Sequence, residues 1–388
     1  MSDRVIVVGA GAWGLPAALA LQDRGYSVTL IERFVPGNAF ASNAGSTRLW
    51  RLADTQVWRA RSILETVPAM QRLSERVGEP LFSRTGLVWR DDVSLDSVTT
   101  ALRAIEVPHT RVLAEDVGEV FPGLIPDGRD AIYLDDAGVV FADVLLRETL
   151  RCFTAAGGTF LPAARVTEVT ASAGIASVLI DGMTRVQADQ LLLAAGPGTR
   201  ELLHGLGLEL PLQPYLEQLV YFGDASQQPP APGLPGLVDC PRADAPGMYA
   251  MSNGAKGYKI GIDRPLRALH GATLGDDLGR DPSAERTRES VERMRATIAT
   301  VAPRVLDVQV CTWTDSGDGD FIVGRVSPEV VVACGDSGEG FKYAAFMGEY
   351  LADLVGGGQG NAEYQEHWSP ERFSHGVPRA EYGAIGRH

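Results

Sequence analysis

The chain has 388 residues, 45% of them hydrophobic, and a formal charge of −14, which is the composition of a globular protein with a large core and about two domains. That acidity excludes nucleic acid and anionic membrane surfaces as general partners, although a locally basic pocket would still admit an anion. Four cysteines, at 152, 240, 311 and 334, form no CxxC pair and no disulfide framework, and no metal site is expected.

The first 33 residues hold the strongest pattern. Val5-Ile6-Val7-Val8 is a short apolar run of the kind buried in a parallel sheet, and it enters Gly9-Ala10-Gly11-Ala12-Trp13-Gly14. Leu15, Ala18, Leu19 and Leu21 then recur at helical spacing until Gly25, and Ser27–Ile31 reads as a second strand that ends at Glu32. Strand, glycine turn, helix, strand and acid form a dinucleotide-binding fingerprint in the context it requires. Here Gly9 permits the tight turn, Gly11 lets the backbone approach a pyrophosphate, and Gly14 lets the helix pack close to the strand. Glu32 would take the ribose hydroxyls, which favours FAD or NAD over NADP. The strand begins almost at Met1 and no apolar stretch reaches spanning length, so no signal peptide, no membrane span and a cytoplasmic location are expected.

Residues 41–51 are small and polar and end in two arginines. They read either as a solvated connection or as a cofactor-wrapping loop, with Arg48 and Arg51 facing one side if a helix starts here. Residues 56–77 are predicted helical, and the texture changes near residue 80, with a strand over 86–89. After turns at 121–123 and 135–138 the first pattern returns: a helix over 144–156, strands over 166–169 and 178–180, and a buried strand entering a glycine turn over 191–198. Residues 215–222 are predicted as a strand, 227–236 as a proline-rich loop, and 283–301 as a helix capped by Ser283. A third apolar strand over 330–335 runs into Asp336 and a last helix to Leu354. The expected class is α/β. A Rossmann-like cofactor domain would be assembled from residues 1–80, 139–208 and 311–388, and a mixed-sheet α+β substrate domain from 81–138 and 209–310.

Cys311-Thr312-Trp313-Thr314-Asp315 and Gly335-Asp336-Ser337-Gly338-Glu339-Gly340-Phe341-Lys342 resemble the C-terminal motifs of the monomeric sarcosine oxidase family, which includes N-methyltryptophan and fructosyl amino acid oxidases. The resemblance covers nearly the whole chain, including the N-terminal fingerprint, Ser46-Thr47-Arg48 with Arg51, residues 191–198, and Pro211-Leu212-Gln213-Pro214-Tyr215. It implies FAD carried covalently by Cys311 through the 8α-methyl, a substrate carboxylate held by Arg51 and Lys342, and oxygen activated by Lys259 in Gly257-Tyr258-Lys259-Ile260-Gly261. It further implies Arg48 under the flavin and cofactor contacts at Arg33, Ser42, Thr47, Val166, Gly196, Gly338, Gly340 and Phe341.

Physical reasons stand beside the resemblance. A thiolate is the nucleophile that an electrophilic flavin methyl needs. Lysine is unfavourable at a positive helix end, so Lys342 behind Gly338 and Gly340 has some other reason to be there. Lys256 lies three residues before Lys259; the motif alignment selects Lys259, whose ammonium would stabilise negative charge growing on oxygen. Three positions depart from the sarcosine enzymes: Asp263 and Glu339 stand where those have histidine, and Trp313 where they have tyrosine. Asp263 and Trp313 are therefore counted with the catalytic set, and the extra acids imply a more polar or cationic substrate end. The expected activity is that of a monomeric oxidase taking hydride from the carbon beside a secondary, N-substituted or cyclic amine nitrogen of an amino acid, giving an imine and hydrogen peroxide. Alternatives are a fructosyl (Amadori) amino acid oxidase, a flavin dehydrogenase with another acceptor, and an FAD-binding fold without catalysis.

Overall fold

A computed structural model describes residues 3–269 and 277–374. Its first sheet has six strands in the order Ile322–Ser327, Val330–Cys334, Gln190–Leu193, Arg4–Val8, Ser27–Ile31 and Thr159–Leu161. All neighbours run parallel except the first pair. Alternate side chains of Arg4–Val8 enter different layers. Val5 and Val7 pack with the helices Gly14–Asp23, Ala142–Ala155 and Ala344–Val355, whereas Ile6 and Val8 pack with Val169 and Val178 of a three-stranded antiparallel sheet. Burial on both faces explains the unbroken apolar runs at 5–8, 191–193 and 330–334. Each such side chain withdrawn from water contributes about 1.5–3 kcal/mol.

The second sheet is mixed. Leu212–Phe222 pairs antiparallel with Val305–Ser316 over its whole length, placing Glu217 opposite Cys311. Beyond it follow Tyr258–Ile262, Met248–Ser252, Gly236–Asp239, Leu87–Arg90, Ala131–Leu134 and Thr110–Val112. The expected domain boundary at 310/311 thus falls inside one continuous strand. Helix Ala284–Thr297 packs on this sheet, and the Ser283 hydroxyl caps it by accepting from the Arg286 amide at 3.2 Å. Deep in the same region the fully buried Asp239 accepts hydrogen bonds from Arg90 at 3.0 Å, from Arg129, and from Arg293 at 2.6 Å, tying strand, loop and helix together.

No helix starts within residues 41–51. Thr47–Trp50 is a strand that pairs antiparallel with Gly138–Phe141, so Arg48 and Arg51 do not share a helical face. Among the described residues no helix is long and apolar enough to cross a membrane.

Candidate active site

One cleft, enclosing about 1770 Å³ of space between protein atoms with its open mouth included, runs from Glu32 and Arg33 past Gly9 and Gly11 to Lys259, Cys311 and Lys342. Its first end is shaped by glycine. Gly9 has φ +100°, and a Cβ there would meet the Ala194 carbonyl oxygen at 2.3 Å; a Cβ on Gly14 would meet the Gly9 carbonyl oxygen at 2.0 Å. Gly14 is therefore a packing residue behind the cleft, whereas Gly11 lines it with no closer neighbour than Asn43 Nδ2 at 3.7 Å. The Glu32 carboxylate accepts from the amides of Ala10 at 2.9 Å and Phe34 at 3.0 Å. Burial raises its pKa and those two amides oppose the rise.

The lining carries unsatisfied polar groups. Asn43 is 4% exposed, yet neither its amide nitrogen nor its oxygen has a hydrogen-bond partner, and the Ser42 hydroxyl is equally without one. Buried polar atoms are rarely left this way, so a ligand that donates and accepts hydrogen bonds fits here. A glycine turn without side chains, an acid at the strand end and these orphaned groups together suit a dinucleotide. Arg48 donates to the carbonyls of Ser42 at 2.8 Å and Thr47 at 2.9 Å and also to that of Ala44, and its guanidinium lies 5.6 Å from the Phe341 ring centroid. It fastens the 41–48 segment against the C-terminal turn.

Further in, Lys259 is 1% exposed, and its ammonium donates to the Thr47 carbonyl at 2.6 Å. Burial, reinforced by the charge of Arg48, pushes its pKa well below that of a free lysine. Lys256, by contrast, is half exposed and pairs with Asp307 at 3.5 Å, outside the cleft. Cys311 lines the same space. Burial and the nearby Glu217 carboxylate push its thiol up to about 12, with Arg48, Lys259 and Arg280 pulling the other way. Cys334 also borders the cleft while packed among Ile322, Val330 and Val332. Trp313 stacks on Tyr215 with ring centroids 5.5 Å apart and donates its indole N–H to Asp315 at 2.9 Å.

The inner end gathers the two expected clamp cations, but around a third residue. Gly340–Tyr343 forms a short 3₁₀ turn before helix Ala344–Val355, which buries Lys342 instead of exposing it at a helix start. Lys342 donates to Glu339 at 2.8 Å, and Arg51 donates to the other oxygen of the same carboxylate. The side chains are 4%, 4% and 9% exposed for Arg51, Lys342 and Glu339. Burial alone would raise the Glu339 carboxyl, but Arg51 and Lys342 outweigh it and hold it at about 2. Burial lowers Lys342 to about 8 although Glu339 opposes the shift. Arg51 also stands 5.0 Å from the Trp89 ring centroid.

Of the residues singled out from sequence, Gly9, Gly11, Glu32, Arg33, Ser42, Arg48, Arg51, Gly196, Lys259, Cys311, Trp313, Gly338, Gly340, Phe341 and Lys342 all line this cleft. Gly14, Thr47, Val166 and Asp263 do not. Thr47 acts from behind, through its carbonyl to Lys259 and its hydroxyl, which accepts from Asn253 at 2.7 Å. Val166 begins a strand of the three-stranded sheet, and Asp263 follows strand Tyr258–Ile262, its amide donating to the Gly247 carbonyl at 2.7 Å and so extending the pairing with Met248–Ser252 by one rung. Sequence reasoning missed Asn43, Tyr249 and Glu217, whose carboxylate accepts from the Tyr249 hydroxyl at 2.9 Å. A single acid inside a strand whose last residues are almost all buried, Leu212–Phe222, was the available signal for Glu217.

The chain is 32% identical to glycine oxidase of Pseudomonas aeruginosa, with 92% of this chain and 96% of that protein covered. It is 28% identical to monomeric sarcosine oxidase of a Bacillus species, with 90% and 91% covered. Its fold superposes on a Tyr258Phe mutant of NikD, an unusual amino acid oxidase essential for nikkomycin biosynthesis, with a TM-score of 0.83 at 23% identity, covering 95% and 97% of the two chains. A model of FAD dependent oxidoreductases matches residues 4–354, and the chain belongs to that family.

Proposed function

We propose that the protein oxidises a carbon–nitrogen bond of an amino acid or amino-acid-derived amine, secondary, N-substituted or cyclic, with molecular oxygen as the final acceptor and an imine and hydrogen peroxide as products. The observation that supports this most is the convergence of Arg48, Lys259, Cys311 and Lys342, from four separate stretches, on one cleft continuous with the glycine turn. Gly11, Glu32, Ser42 and Asn43 would hold the dinucleotide, and bound FAD would supply the two-electron acceptor. Cys311 would anchor it covalently, with Arg48, Lys259 and Arg280 offsetting part of the burial that opposes its thiolate.

Lys259 is suited to electrostatic work. Burial keeps its charged Nζ poorly solvated, so negative charge growing beside it in the cleft would be strongly stabilised. Trp313 and Tyr249 give the cleft rigid walls against which an amine can be oriented. The test is anaerobic mixing with a panel of secondary, cyclic and glycated amino acids and their amides, followed by a peroxide assay in air. Bleaching of the flavin with peroxide formed on aeration supports an oxidase; bleaching without peroxide identifies a dehydrogenase, and no bleaching with any amine removes the reading.

A further inference from the structure

We propose that Glu339 is a built-in ligand of the Arg51–Lys342 pair and sets the substrate class: an amine whose carboxyl group is blocked or absent. The inference deepens the amine-oxidising reading and rests on it. Both cations face one carboxylate that is nine-tenths buried, Lys342 at 2.8 Å and Arg51 on the opposite oxygen. The surroundings continue the balance. Arg59 pairs with Asp320 and lies near Glu339, and Asp54, whose pKa is raised by burial and by Glu339, completes a set of three cations and three carboxylates. A free carboxylate entering here meets cations already paired and the anion that pairs them.

Glu339 does not yield easily. With Arg51 and Lys342 holding its carboxyl well below the ordinary range, Glu339 stays ionised at neutral pH, so neutralising it to admit a second carboxylate is strongly disfavoured. Moving the side chain away instead would expose two buried cations and surrender two charge-assisted hydrogen bonds. Glu217 adds a second buried carboxylate further along the same cleft. An amide, an ester or a decarboxylated amine meets none of this repulsion, and its protonated nitrogen is drawn toward these carboxylates.

The test uses the FAD-loaded protein and two independent readouts. Acetate and acetamide are titrated against wild type and Glu339→Gln, following tryptophan fluorescence from Trp13 and Trp313, which line the cleft. Glu339→Gln should bind acetate at least tenfold more tightly than wild type, with acetamide little changed; equal acetate affinity in the two proteins overturns the proposal. In turnover, wild type should use N-methylglycinamide or prolinamide at least tenfold more efficiently than N-methylglycine or proline, and Glu339→Gln should shift that ratio toward the free acids. A wild-type preference for the free acids overturns the proposal without reliance on any variant. If the acetate result is as expected while no amine bleaches the flavin, the neutralised clamp stands and the oxidase reading falls.

Discussion

Attachment of FAD to Cys311 should be slow at neutral pH and should quicken with alkalinity by an amount the site itself sets. The thiol is raised to about 12 by burial and Glu217, so at pH 8 roughly one molecule in 10⁴ carries the thiolate, equivalent to about 5 kcal/mol of unfavourable ionisation. If the thiolate forms the bond, the rate of attachment after adding FAD to flavin-free protein should rise close to tenfold per pH unit between pH 7 and 10. Glu217→Gln removes an anion that opposes ionisation and should accelerate attachment at fixed pH; Lys259→Met removes a helpful cation and should retard it. The assay is acid precipitation at timed intervals, with yellow colour scored in the pellet. Cys311→Ser should leave all colour in the supernatant, whereas Cys334→Ala should not. A pH-independent rate, or a wild-type pellet that stays colourless, would refute the reasoning.

Three further outcomes follow from the same geometry. Lys259→Met should slow reoxidation by oxygen far more than reduction by the amine; rapid-mixing traces in which both half-reactions fall by one factor would remove its oxygen role. Asp239→Asn leaves three buried arginines short of their shared anion and should cost about 3–5 kcal/mol. With an unfolding entropy of about 0.8 kcal/mol/K for a chain of 388 residues, calorimetry should find Tm lowered by about 4–6 °C, and a shift below about 1 °C would count against the network. Because the folded-state pKa of Lys342 lies near 8, below an unfolded value of about 10.4, the unfolded chain binds the extra proton between them. Stability should therefore rise with pH across that window, by about 3 kcal/mol from this group, and urea titrations at pH 7.5 and 10 should show that increment missing in Lys342→Met.

The strands at 5–8, 191–193 and 330–334 could be read from sequence because burial on both faces makes each an unbroken apolar run. The turn glycines could be read for a related reason, since Gly9 and Gly14 sit where any side chain would strike backbone. Strand Thr47–Trp50 could not. It is four residues long, half polar, and owes its conformation to pairing with residues 138–141, about 90 positions away. The strand across the expected 310/311 boundary escaped for the opposite reason: Val305–Ser316 alternates polar and apolar residues at its start and becomes continuously buried toward its end, which looks like two textures. At the site, separate cations were legible as residue types, but the i, i+3 pairing of Glu339 with Lys342 has meaning only once Arg51, 288 residues away, arrives on the same carboxylate.

The six-stranded sheet also dictates when this protein can become a flavoprotein. Val5 has no partner on its inner side until Gln190 has been made, 185 residues later, and Leu191 then waits for Val330. At roughly 5–20 residues per second on a ribosome, the first interval lasts about 10–40 s and the second about 7–28 s. During the second interval Gln190–Leu193 is an apolar sheet edge open to other chains, and the turn that carries Gly338 and Lys342 does not yet exist. The complete cleft can therefore form only when synthesis is nearly finished, which makes a nascent chain stalled before residue 330 a target for chaperones.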